Sequence, residues 1–178
     1  RDDYNAGLTG KILDPRLATF SIAGSLSTSD VSSSQREAAQ DSRLLSFNGN
    51  LSILSGKPYP LDLRFTQSSI GGSTDTNLLG FGGSWRILYG ALPSIFFNFD
   101  RVNIESTGQT RADNTFTTGT MRLSKQLFGS DVDAEFGMQN FADDIRRTSS
   151  LRHFGRLSDT TPLSQATTLR FRGDYFLQ

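Results

Sequence analysis

LLGFGGSWRILYGALPSIFFNFDRVN, residues 78–103, consists of two alternating runs separated by a turn at Gly90-Ala91-Leu92. In the first run Leu79, Phe81, Gly83, Trp85 and Ile87 share one face, and Leu78, Gly80, Gly82, Ser84 and Arg86 share the other, the period of two that a strand imposes. In the second, Ile95, Phe97 and Phe99 oppose Ser94, Asn98 and Asp100, with Phe96 the one large side chain out of phase. The stretch reads as a β-hairpin. If its neighbours are of the same kind, the chain is an all-β antiparallel up-and-down meander with an apolar and a polar face. What covers the apolar face then decides the function.

Working outward, the same alternation recurs. Tyr4 to Ile12 ends at the turn Asp14-Pro15, and a second strand runs from Arg16 to Leu26. Leu45, Phe47, Gly49, Leu51 and Ile53 against Ser46, Asn48, Asn50 and Ser52 make the cleanest strand. Leu61, Leu63 and Phe65 follow the turn Gly56-Lys57-Pro58. Beyond the hairpin, Thr117 to Leu123 and Val132 to Met138 flank a turn at Phe128-Gly129-Ser130, and Leu169 to Leu177 closes the chain. Nine strands are expected, with a further one between Ser149 and Leu157 as the candidate hidden in the longest connection.

The connections alternate in length. Short turns sit at Asp14-Pro15, Gly56 to Pro58, Gly90 to Leu92 and Phe128 to Ser130. Polar loops are expected between them at Ser27 to Ser42, Ser68 to Asn77, Glu105 to Asn114 and Phe141 to Ser164. Tyr59, Trp85, Tyr89, Phe128, Tyr175 and Phe176 fall near the expected short-turn ends, where amphipathic rings would form half of an aromatic girdle. Aromatics also favour strand ends in any β protein.

Composition narrows the function. The 178 residues hold no Cys, so neither disulfides nor thiolate metal sites are available, and no metal or cofactor is expected. Lys and Arg total 18 against 18 Asp and Glu, which gives no basic field for nucleic acid. No apolar run approaches the roughly 20 residues of a membrane helix, whereas alternating strands are compatible with the mean hydropathy of −0.36.

Hairpin pattern, loop sorting and girdle together resemble bacterial outer-membrane β-barrel proteins, porins and large multi-strand conduits included, over nearly the whole chain. The resemblance is one of pattern, without a family-specific motif. It implies a transmembrane β-barrel or a segment of a larger barrel in the bacterial outer membrane, acting as a passive pore or as a scaffold for a partner. The alternative is a soluble antiparallel β-sandwich at the cell surface, serving as a binding or structural module. Residues 1–178 are expected to be one β-domain of a larger barrel, with Arg1 and Gln178 at opposite ends, given the odd strand count and the absence of an initiator Met.

On the barrel reading Leu45, Phe47, Leu51, Ile53, Phe81, Phe97 and Phe171 face lipid. Lys11, Asp62, Arg64, Arg86, Asp100, Arg122, Asp133, Glu135, Arg170, Arg172 and Asp174 line the lumen, as a structural ion-pair ladder or as a selectivity element. Arg122 and Glu135 are expected as cross-strand partners. Arg146, Arg147, Arg152 and Arg156 form a basic cluster in the longest loop, placed for lipopolysaccharide or a protein partner, or simply solvated. His153, the sole histidine, lacks catalytic partners in the sequence, and no enzymatic role is expected.

Overall fold

The computed structural model describes residues 2–29, 42–72, 74–90, 92–108, 111–163 and 167–178. Ten strands follow one another: β1 (Asp2–Ile12), β2 (Ala18–Ser29), β3 (Ser42–Ile53), β4 (Leu61–Gly71), β5 (Asp75–Ile87), β6 (Ser94–Thr107), β7 (Ala112–Leu127), β8 (Ser130–Asp143), β9 (Thr148–Pro162) and β10 (Thr168–Leu177). They form one sheet in chain order, with antiparallel neighbours throughout. One register row crosses all ten: Ile12, Ala18, Ile53, Leu61, Trp85, Phe97, Met121, Phe136, Gly155 and Tyr175. Cross-strand pairs share a face, so this row fixes the face of every residue in the sheet.

Two expectations change. The tenth strand is β9, which takes up most of the expected loop from Phe141 to Ser164. Its insertion reverses β10, so Asp2 and Leu177 lie at the same end of the sheet rather than at opposite ends. This is the far end. It carries the connections of β2 to β3, β4 to β5, β6 to β7 and β8 to β9, and the near end carries the other five.

The sorting of connections by length also fails among the described residues. At the far end the described residues between strands are 72, 74, 108, 111 and 144–147, because β4 to β8 run on through the segments expected as loops. Most of the Ser27 to Ser42 loop lies outside the described residues.

There is no second layer. Each strand touches only the strands beside it in sequence, and no hydrophobic side chain is buried among the described residues. A sandwich core needs the inner faces of two sheets to interdigitate. The soluble-sandwich expectation is therefore corrected: among the described residues nothing covers the apolar face.

Candidate functional site

All seven residues expected on the apolar face share one face in the register: Leu45, Phe47, Leu51, Ile53, Phe81, Phe97 and Phe171. Phe47 and Phe81 are each 43% exposed and Phe171 63%, although all three stand on strands. Aromatic pairs tile this face, Trp85 against Phe97 at 5.8 Å and Phe81 against Phe99 at 5.9 Å between centroids. A depression of about 1290 Å³ crosses it, lined by Gly83, Gly119, Gly155 and Gly173 among larger apolar side chains. His153 lies here on β9, opposite Met138 and Leu177, and not in a loop among Arg residues.

The apolar band crosses the register rows on a diagonal. On β2 the apolar face ends at Thr28, ten residues beyond the common row at Ala18; on β8 it ends at Asn140, four residues beyond Phe136. The limit thus drops by about 6 residues over six strand spacings, about 20 Å against about 29 Å, a slope of about 35°. Strands of outer-membrane barrels tilt by about 35–45° from the membrane normal, and a band held parallel to a bilayer must cross their rows at that angle. Along β3 the band spans Leu45 to Ile53, matching the roughly 9–11 residues of a tilted spanning strand.

Beyond the band the polarity inverts. On the formerly apolar face stand Arg101, Asn103, Glu105, Asp113, Thr115 and Asn140, with Thr115 Oγ1 donating to Asn103 Oδ1 at 2.8 Å and Asn103 Nδ2 to Glu105 Oε1 at 3.0 Å. On the opposite face Leu78, Val102, Ile104, Phe116 and Phe141 appear, and the rings of Phe116 and Phe141 meet at 4.9 Å. At this far end Asp113 has its carboxyl pushed up by desolvation and by the carboxylates of Asp144, Glu105 and Asp143.

The polar face holds all eleven charged residues expected there, from Lys11 on β1 through Asp62, Arg64, Arg86, Asp100, Arg122, Asp133 and Glu135 to Arg170, Arg172 and Asp174. Arg122 stands directly opposite Glu135, yet its guanidinium turns to Asp133, Nη2 to Oδ1 at 2.9 Å. Glu135 is taken by Arg156 at 3.5 Å, which also donates through Nε to Asp174 at 2.8 Å; Asp174 in turn accepts from Arg172 at 2.9 Å. Arg64 reaches across β5 to Asp100 on β6, its Nε 3.0 Å from Oδ1, and Ser52 Oγ donates to Asp62 at 2.6 Å. Lys11, Arg86 and Arg170 have no ion-pair partner among the described residues. Phe96 sits on the polar face in register between Arg86 and Arg122.

The basic cluster is split. Arg146 and Arg147 occupy the far-end turn, whereas Arg152 and Arg156 stand on β9 facing the polar side, Arg152 over the Phe176 ring at 5.8 Å. Arg152 and Arg156, the latter the hub of the ladder, are polar-face residues that the sequence pattern leaves in a loop. Asp159 is another surprise, a carboxylate on the apolar face opposite Val132 and Phe171, with Oδ2 accepting from Thr161 at 3.1 Å.

Of the expected girdle, Tyr59 and Tyr89 stack at 6.4 Å between the β3–β4 and β5–β6 connections, Trp85 stands on the apolar face close by, and Phe128 forms the β7–β8 turn, all at the near end. Tyr175 stands seven residues into β10 on the apolar face, away from the near-end turn, and Phe176 faces the polar side. Both shift because β10 runs in the opposite direction to that expected.

A single layer with one apolar face, tilted across the band it carries, is the geometry of a barrel wall. Solved structures agree. The siderophore receptor PirA from Pseudomonas aeruginosa superposes with a TM-score of 0.68 at 16% identity, over 98% of this chain and 35% of the receptor. A mutant of the ferric enterobactin receptor PfeA from the same organism gives 0.64 at 13% identity, over 98% of this chain and 37% of that one.

The chain has the fold of a β-barrel wall.

This wall spans little more than a third of the length of the receptors it matches. Both are receptors from Pseudomonas aeruginosa, and at these identities the likeness is one of fold. No family model matches the chain, and no curated protein matches it.

Proposed function

We propose that this chain is part of the wall of an outer-membrane transport barrel, with the Phe97 face on lipid and the Arg156 face toward the lumen. The observation that carries the reading is the diagonal apolar band on a sheet without a second layer. Ion pairing joins the charges of β7 to β10 across strands, which suits a wall that holds its shape around a conduit. Likeness to a siderophore receptor favours uptake of a particular ligand over an unselective pore. The far end, where the strands outrun the band, faces the exterior and places Arg146 and Arg147 to meet lipopolysaccharide.

Trp85, the sole tryptophan, tests the reading. In protein folded into vesicles, lipid brominated along its acyl chains should quench Trp85 emission, and an unquenched indole would sink the assignment of faces. The same assignment makes Phe47→Arg, well inside the Leu45 to Ile53 band of β3, costly by about 2–4 kcal/mol, while Asn48→Arg, on the lumen face, should be tolerated. Urea unfolding in vesicles reads the difference, and equal tolerance would reverse or erase the faces.

A further inference from the structure

The two ends of the sheet carry different turns. At the far end the described connections are built mainly of Gly and polar residues such as Gly72, Gly108, Arg111 and Arg147, with Ile145, 51% exposed in the β8–β9 turn, as the exception. At the near end four of the five connections, all but β3–β4 with its Ser55-Gly56-Lys57-Pro58 tip, carry an exposed large apolar side chain. Among these Leu13 is 90% exposed, Leu92 59%, Leu163 62% and Phe128 106%.

Two of them sit where the backbone disfavours them. Phe128 and Gly129 form a two-residue hairpin turn with φ of 52° and 83°, the doubly left-handed pattern that ordinarily selects Asn-Gly or Asp-Gly. Leu13 holds φ at 62°, again in the region that bulky side chains avoid. In water such a residue gains nothing from its exposure. An apolar environment outside the chain makes the choice favourable.

We infer that the near-end turn tips are seated in the boundary between headgroups and acyl chains of the adjacent leaflet, as anchors that fix the depth of the wall. The inference rests on the lipid-facing reading of the apolar face. Continuity supports lipid as the occupant, since the band on that face runs to the near-end limits of β1, β5 and β10 at Ile12, Ile87 and Leu169, and the tips extend it. Spacing supports it too. Apart from the β3–β4 hairpin, the apolar tips recur at every second strand, about 10 Å apart along the sheet edge. A line of single side chains fits a planar boundary, whereas a protein partner takes a compact patch.

The test moves the reporter. In a Trp85→Phe background, Phe128→Trp and, separately, Leu13→Trp place the one indole at a tip of the full-length protein. In phosphatidylcholine vesicles the tip indole should be quenched by lipid brominated near the headgroup end of the chain, more than by lipid brominated near the methyl end. Aqueous iodide should leave it bright. Quenching by iodide alone puts the tip in water and overturns the inference. An indole silent to both bromine and iodide is covered by protein, which also overturns it. Trp85 in the unmodified protein separates the two readings: if Trp85 is quenched and the tips are not, only the anchoring inference falls. If Trp85 is not quenched, the lipid-facing reading falls as well. Two tip positions guard against a variant that fails to fold.

Discussion

At Gly82 the missing side chain is the structural requirement. A Cβ there would stand 2.7 Å from the Phe99 carbonyl oxygen and 3.1 Å from Arg64 Nε, and would run into the Asp100 carboxylate. Gly82 therefore lets an ion pair on β4 and β6 close over β5. Gly82→Ala should cost about 1–3 kcal/mol through overpacking. Measured by urea unfolding in vesicles, that cost should shrink in an Asp100→Ala background, because one of the obstructed groups is gone; an unchanged cost would remove the ion pair from the explanation. On a strand, glycine permits twist, a bulge, or the close approach of an aromatic ring from the next strand. That occurs at Gly10, where a Cβ would stand 2.5 Å from the Phe20 ring, while at Gly82 the approaching group is a charged pair. Spacing along one chain shows that a gap exists, but the filler comes from another strand, whose register is not written locally.

On the scale of elements, the strands whose apolar face is unbroken are legible and the rest are not. The face of β9 reads Leu151, His153, Gly155, Leu157 and Asp159, interrupted by an imidazole, a glycine and a carboxylate, so its period of two is masked. The far halves of β4 to β7 fail for a different reason. Their alternation continues, but its phase inverts where Val102 and Ile104 turn to one face and Asn103 and Glu105 to the other. A search for one apolar face reads such a stretch as loop. The ladder on β8 to β10 yields a prediction of its own. Arg156 serves both Glu135 and Asp174, while Arg122 serves Asp133. Each pair is partly exposed, so the contacts are of similar, modest worth. Arg156→Met should then cost about twice what Arg122→Met does, and double-mutant cycles with Glu135→Gln and Asp174→Asn should both show coupling. Additive cycles would mean that the contacts are geometric only.

The whole molecule is described by one angle. A band slope of about 35° predicts strands inclined by about 35–45° to the membrane normal. Polarised infrared dichroism of oriented bilayers reads that inclination directly, and strands parallel to the normal would contradict the diagonal. Contact only between sequential neighbours has a consequence of another kind. Removing β5 and β6 together would bring the end of β4 to the start of β7 at the far end, antiparallel and with Leu61 and Met121 still in one row. A hairpin is thus an exchangeable unit: the wall can gain or lose two strands and change its circumference without any remaining side chain changing sides.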